Sequence, residues 1–115
     1  MTRTDTFSSD RIGNAIEVLT LNGECERSAA LHAEQQIVTA LDGGRTEIIV
    51  DLRGVTALGN AMLHVLFRAL IRIGQNGRVT LVRPNAHVWA AFEQSGLDKG
   101  FSAFADLRGA LAHVR

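Results

Sequence analysis

The chain has 115 residues, twelve Lys+Arg against twelve Asp+Glu, and no apolar run near the ~18 residues that a membrane span needs. That length suits one domain, taken as residues 1–115, and the neutral balance argues against a nucleic-acid binder that works by neutralising phosphates. The single cysteine, Cys25, excludes an intrachain disulfide and a cysteine-based metal site, and the polar start has no apolar stretch of a secretory signal, so a cytoplasmic α/β domain is expected.

Residues 1–5 are polar and expected to fray. Phe7–Ile12 and Ala15–Leu21 read as two extended runs split by Gly13-Asn14, a pair that tolerates positive φ, so a hairpin is expected. Asn22-Gly23-Glu24-Cys25 reads as a turn, and Ser28 is placed to cap a helix running to about Asp42. Leu31, Ile37, Val38 and Leu41 make its apolar side, and Gly43-Gly44 ends it. Glu47 to Leu52 is the clearest strand, with Ile48, Val50 and Leu52 alternating against Glu47, Ile49 and Asp51. Arg78 to Val82 repeats the alternation. Because both strands keep polar groups on one side, helices are expected mainly on one face of the sheet.

Ala61 to Ile73 is helical in period and apolar nearly all round, save a stripe of His64, Arg68 and Arg72 at steps of four. Gly74 and Gly77 close it. Pro84-Asn85 opens a third helix that Gly96 ends, Phe101 to Phe104 is a short strand, and Asp106 caps a last helix to about His113. A hairpin followed by alternating strands and helices implies an α/β fold with a four- to five-stranded mixed sheet and right-handed crossovers.

The chain is poor in catalytic constellations. His32, His64, His87 and His113 fall on four different helices without ligand spacing, so no metal site is expected. Cys25 lies beside Glu24 and Glu26, whose charges discourage a thiolate. Gly43-Gly44-Arg45 follows a helix instead of opening one, unlike a phosphate loop. The chain therefore reads as a non-enzyme without a cofactor. Two segments remain for function, Gly23-Glu24-Cys25-Glu26 and Leu58-Gly59-Asn60-Ala61. Both stand at carboxyl ends of strands, where open α/β sheets bind, and so share one edge.

These pieces, in this order, resemble a STAS domain, the fold of bacterial anti-sigma factor antagonists. Glu47-Ile-Ile-Val-Asp-Leu-Arg-Gly-Val-Thr-Ala-Leu58 is similar to the family's strand ending in Asp-Leu-x-x-Val-x-x-Leu/Met/Ile. Gly23-Glu24 before a helix resembles the family's Gly-Glu-Leu/Ile-Asp turn, with Cys25 and Glu26 at its last two positions. Gly77 to Val82 fits the next strand, and Ser95-Gly-Leu-Asp-Lys-Gly-Phe101 resembles Thr/Ser-Gly-Leu-x-x-x-Phe. The departure falls at the family's Asp-Ser-Ser/Thr-Gly switch, whose first hydroxyl a cognate kinase phosphorylates. Here the four positions read Gly59-Asn60-Ala61-Met62, so the acceptor position holds Asn60, and Thr56 and Ser28 are the nearest hydroxyls.

The resemblance implies a cytoplasmic, non-catalytic regulator that binds an anti-sigma factor of the histidine-kinase-like ATPase fold and so frees a sigma factor. Its expected contacts are Gly23, Glu24, Glu26, Gly59, Asn60, Ala61, Met62, Leu63 and His64, with Asn60 also capping its own helix. The alternative is a non-switching STAS subunit of a transport complex, such as a lipid ABC-type system, docked on its ATPase. Neither reading involves nucleic acid or membrane insertion, and self-association as a homodimer is left open.

Overall fold

The structure, a computed structural model, describes residues 7–114; the polar start expected to fray lies outside them. Strand β1 (Phe7–Ile12) turns through Gly13-Asn14 into β2 (Ile16–Cys25), giving the expected hairpin. Helix α1 (Arg27–Asp42) leads to β3 (Glu47–Leu58), α2 (Asn60–Ile73), β4 (Arg78–Val82), α3 (Ala86–Ser95), β5 (Ser102–Phe104) and α4 (Leu107–Val114). The sheet order is β1-β2-β3-β4-β5, with β1 antiparallel to β2 and every other neighbour parallel.

The larger core lies on the sheet face covered by α1, α2 and α3. There Leu19, Leu21, Ile48, Val50, Leu52 and Leu81 meet Ile37, Met62, Leu66 and Phe92. The alternation of β3 and β4 implied little cover on the second face. It has one helix, because Ile16, Val18, Ile49 and Val82 stand there and α4 buries them under Ala110 and Val114. Three helices against one matches helices mainly on one face. At the amino end of the strands, buried Glu17 accepts from Gln36 Nε2 at 2.9 Å and stands 3.6 Å from Arg45 Nε.

Three local readings change. Asn22 to Cys25 is not a turn: β2 runs through to Cys25 and pairs with β3 across two register shifts. At the second shift Gly23 has φ 71, a conformation that side chains with a Cβ rarely adopt, so glycine lets the strand bulge and continue. Ser28 does not cap α1, because Glu26 is the N-cap residue and makes no side-chain cap bond. The helix packs through Ala29, Ala30, Ala33, Ile37 and Ala40, while Leu31 is left exposed.

Candidate functional site

The two segments singled out by sequence come together at the carboxyl edge of the sheet. Strands β2 and β3 stay paired to their ends, with Gly23 opposite Val55, Glu24 opposite Ala57 and Cys25 opposite Leu58. Beyond the last pair, the Gly59 N–H donates to the Cys25 carbonyl at 3.1 Å. The start of α2 is thereby fastened to the chain entering α1. A tip forms in which Glu24, Glu26, Asn60 and His64 are exposed, and Gly23, Gly59 and Ala61 are half-buried.

Two expected contacts belong to the interior instead. Met62 is fully buried and Leu63 is buried at 8% exposure, both in the larger core. A helix of this period turns its third and fourth residues inward when its first and fifth face out. The solvent-facing part of the tip is therefore Glu24, Glu26, Asn60 and His64, with half-buried Gly59 and Ala61 between them.

Asn60 also does not cap α2. Gly59 is the N-cap, with extended φ −78 and ψ 165, and no side chain closes the first turn. The Gly59 carbonyl instead accepts from the N–H groups of Met62 and Leu63 at 3.1 and 3.2 Å. Asn60 is the first helical residue and is exposed, one position past the place from which a side chain closes the first turn.

Burial, more than its acidic neighbours, disfavours the thiolate of Cys25. The residue is fully buried, and burial pushes its pKa up from 9.0 to about 11, while Glu24 and Glu26 point to solvent. Asp51 of the Asp-Leu motif is structural as well. It is buried and holds Arg53 through two side-chain bonds, Nη2 to Oδ2 at 2.7 Å and Nε to Oδ1 at 3.0 Å. Thr56 and Ser28 are exposed on β3 and on the first turn of α1.

The stripe of His64, Arg68 and Arg72 is solvent-facing, as its spacing implied. Arg68 Nε donates to Glu34 Oε2 at 2.8 Å and Arg72 pairs with Asp42, both pairs tying α2 to α1. Phe67 and Ile71, members of the helix that reads as apolar nearly all round, are 42% and 63% exposed. A helix apolar all round has more apolar surface than one buried arc can take. Among the described residues, no His, Cys, Asp or Glu cluster is placed to hold a metal ion, and no helix is long and apolar enough to cross a membrane.

Comparison with known proteins agrees with this architecture. The family model described as "Mlab, STAS domain" matches residues 9–111. The anti-sigma-F factor antagonist RsfB of Mycobacterium tuberculosis is 30% identical over 102 residues, which span 89% of this chain and 84% of that protein. An anti-sigma factor antagonist from Mycobacterium paratuberculosis superposes with a TM-score of 0.84 at 24% identity, covering 96% of this chain and 93% of the other. The anti-sigma factor antagonist SpoIIAA in its unphosphorylated form gives 0.80 at 25% identity, covering 95% and 96%. The strand order, the paired ends of β2 and β3 and these matches lead to one conclusion: the chain belongs to the STAS domain family and is related to the anti-sigma factor antagonists.

Proposed function

We propose that this STAS domain is a protein-binding regulator of the antagonist type, which docks an anti-sigma factor on the α2 tip and so releases a sigma factor. The observation that carries the reading is the tip itself. Gly59-Asn60 stands open beside Glu24 and Glu26, tied to them by the Gly59-to-Cys25 bond. The relatives named as anti-sigma factor antagonists support the choice of partner.

Asn60 stands in this reading where the switch hydroxyl would be, so docking is constitutive. A phosphate would add about −1.5 to −2 charge and three acceptor oxygens at the helix start, blocking a partner by bulk and by repulsion from its acidic groups. An asparagine amide adds neither.

The test mixes the purified chain with anti-sigma factors of the histidine-kinase-like ATPase fold, with their sigma factors and with ATP. Complex formation, sigma release and no phosphate on this chain are expected. Serine or threonine phosphate that governs binding would overturn the constitutive reading, and absence of binding to every such factor in the source cell would overturn the partner. The second reading, docking on a transport ATPase, takes its support from exposed Phe67 and Ile71 on α2. Co-purification with an ATPase and a permease, in place of a sigma pathway, would favour it.

A further inference from the structure

Leu31, Phe67 and Ile71 are the large apolar side chains left exposed among the described residues, and all three lie on or beside the outward face of α2. Grooves join them. One between α1 and α2, of about 300 Å³, is floored by Ile37, Val38, Val65 and Ala69 and has Ile71 at its lip. The next groove along the same helix pair holds Leu31, His64 and Arg68. On the other flank of α2, Phe67 shares a third with Asn60 and His64. The three grooves follow α2 from Asn60 to Arg72, neighbours sharing Val65, Glu34 and Arg68 on one side and His64 on the other. Exposed apolar side chains gathered along grooves, with a polar rim, are the kind of surface that partners use.

Charge says what kind of segment fits. Helix α2 has no carboxylate among its 14 residues, and its ionisable side chains are His64, Arg68 and Arg72. The carboxylates that face Arg68 and Arg72 come from α1, Glu34 and Asp42, in pairs whose arginines are about half exposed. Such pairs hold weakly and exchange readily. Arg27, at the start of α1, lines the groove with His64 and is without an ion-pair partner among the described residues.

We propose that this ridge receives an acidic amphipathic helix of a partner protein. Its apolar side chains enter the α1–α2 groove against Leu31 and Ile71, and its carboxylates take over Arg68 and Arg72 from Glu34 and Asp42. Apolar anchors in a groove supply the affinity, and the charges fix sign and register. The inference deepens the docking reading above, adding that the partner's contact segment is helical and acidic. Its test does not depend on which factor the tip receives.

Two blocked helical peptides of about four turns carry leucine at i, i+3, i+4 and i+7, one with glutamate and one with lysine elsewhere. Each is titrated into the nitrogen-15-labelled full chain. The glutamate peptide should bind at least about tenfold more tightly and shift the amides of Leu31 and of residues 64–72. Arg68→Glu with Arg72→Glu should invert the preference, Arg68→Lys with Arg72→Lys should keep it, and Leu31→Ser with Ile71→Ser should weaken both peptides. These side chains are exposed, so the melting temperature checks that each variant remains folded. Equal binding of the two peptides, shifts confined elsewhere, or no binding at millimolar concentration would overturn the proposal. So would self-association of the chain through the α2 amides, or an attachment to phosphatidylglycerol vesicles that Ile71→Ser removes. An anti-sigma factor that still binds when the peptides fail would sink the ridge and leave the tip standing.

Discussion

Helices α3 and α4 begin with a side chain closing the first turn, and α1 and α2 do not. Asn85 Oδ1 accepts from the Val88 N–H at 2.9 Å, and Asp106 Oδ1 accepts from the Gly109 N–H at 2.8 Å. Glu26 and Gly59, the N-cap residues of α1 and α2, make no such bond. The uncapped pair is held from beneath instead. Cys25 and Met62 are fully buried at the two starts, Ala29 and Ala30 are nearly so, and Gly59 is bonded to Cys25. A helix start anchored by burial and backbone leaves its outward polar groups unspent. The two starts that no side chain closes are the two that meet at the tip, where the proposed docking is placed.

The largest way to break this contrast is to remove the anchor. Met62→Ala should cost about 2–5 kcal/mol in urea unfolding, because a buried side chain leaves both a transfer loss and a cavity. A cost below about 1 kcal/mol would mean that α2 is not held from beneath. Cys25 tests the other start through pH. Its folded thiol, at about 11, stands above the unfolded 9.0, so the folded state keeps the proton longer. The associated stability is fully present below pH 9 and falls as pH rises toward 11, by about 3 kcal/mol in all. The check is the difference in unfolding free energy between wild type and Cys25→Ala across that window. A flat difference would place the thiol in contact with water.

Where the sequence could be read and where it could not divides along the same line. The capped starts were legible because Asn85 and Asp106 act on N–H groups three residues away, a local relation that spacing alone reveals. The uncapped ones were not. Ser28 and Asn60 are good capping residues by type, yet the chain enters each helix one or two residues earlier, at Glu26 and Gly59. That phase is set by the long pairing of β2 with β3, which carries both strands to Cys25 and Leu58. In β3 the clear alternation covers only Glu47 to Leu52, and it is the resemblance that carries the strand to Leu58. Pairing with a bulged neighbour carries the strand through to Leu58. The α4 cover of the second face was hidden for a similar reason, since only the folded sheet brings Ile49 and Val82 beside Ile16 and Val18.

Removing a cap should matter on one side of the contrast only. Asn85→Ala and Asp106→Ala should each lose about 1 kcal/mol, the usual cost of a capping bond. Asn60→Ala should stay within about 0.5 kcal/mol, since its side chain closes no turn. Parallel urea titrations of the three variants decide the matter. An equal loss at Asn60 would give it the capping role that the geometry denies.

The smallest expected effect is a gain. Gly59 has φ −78, which any residue adopts, so its backbone does not require glycine. A Cβ added there would stand 3.4 Å from the Cys25 carbonyl oxygen, an ordinary contact. Aspartate at this N-cap should therefore close the first turn and add a few tenths of a kcal/mol, since glycine is only that much poorer than a capping side chain. The helix start favours the new carboxylate, while exposed Glu24 and Glu26 oppose it. The increment should emerge fully only in moderate salt, where exposed charges are screened. A rise of about 1–2 °C in the melting temperature of Gly59→Asp is the corresponding readout. A loss above about 1 kcal/mol would instead make glycine a steric necessity where α2 meets Cys25. The open start of α2 would then follow from packing, and it would no longer point to a surface left free for a partner.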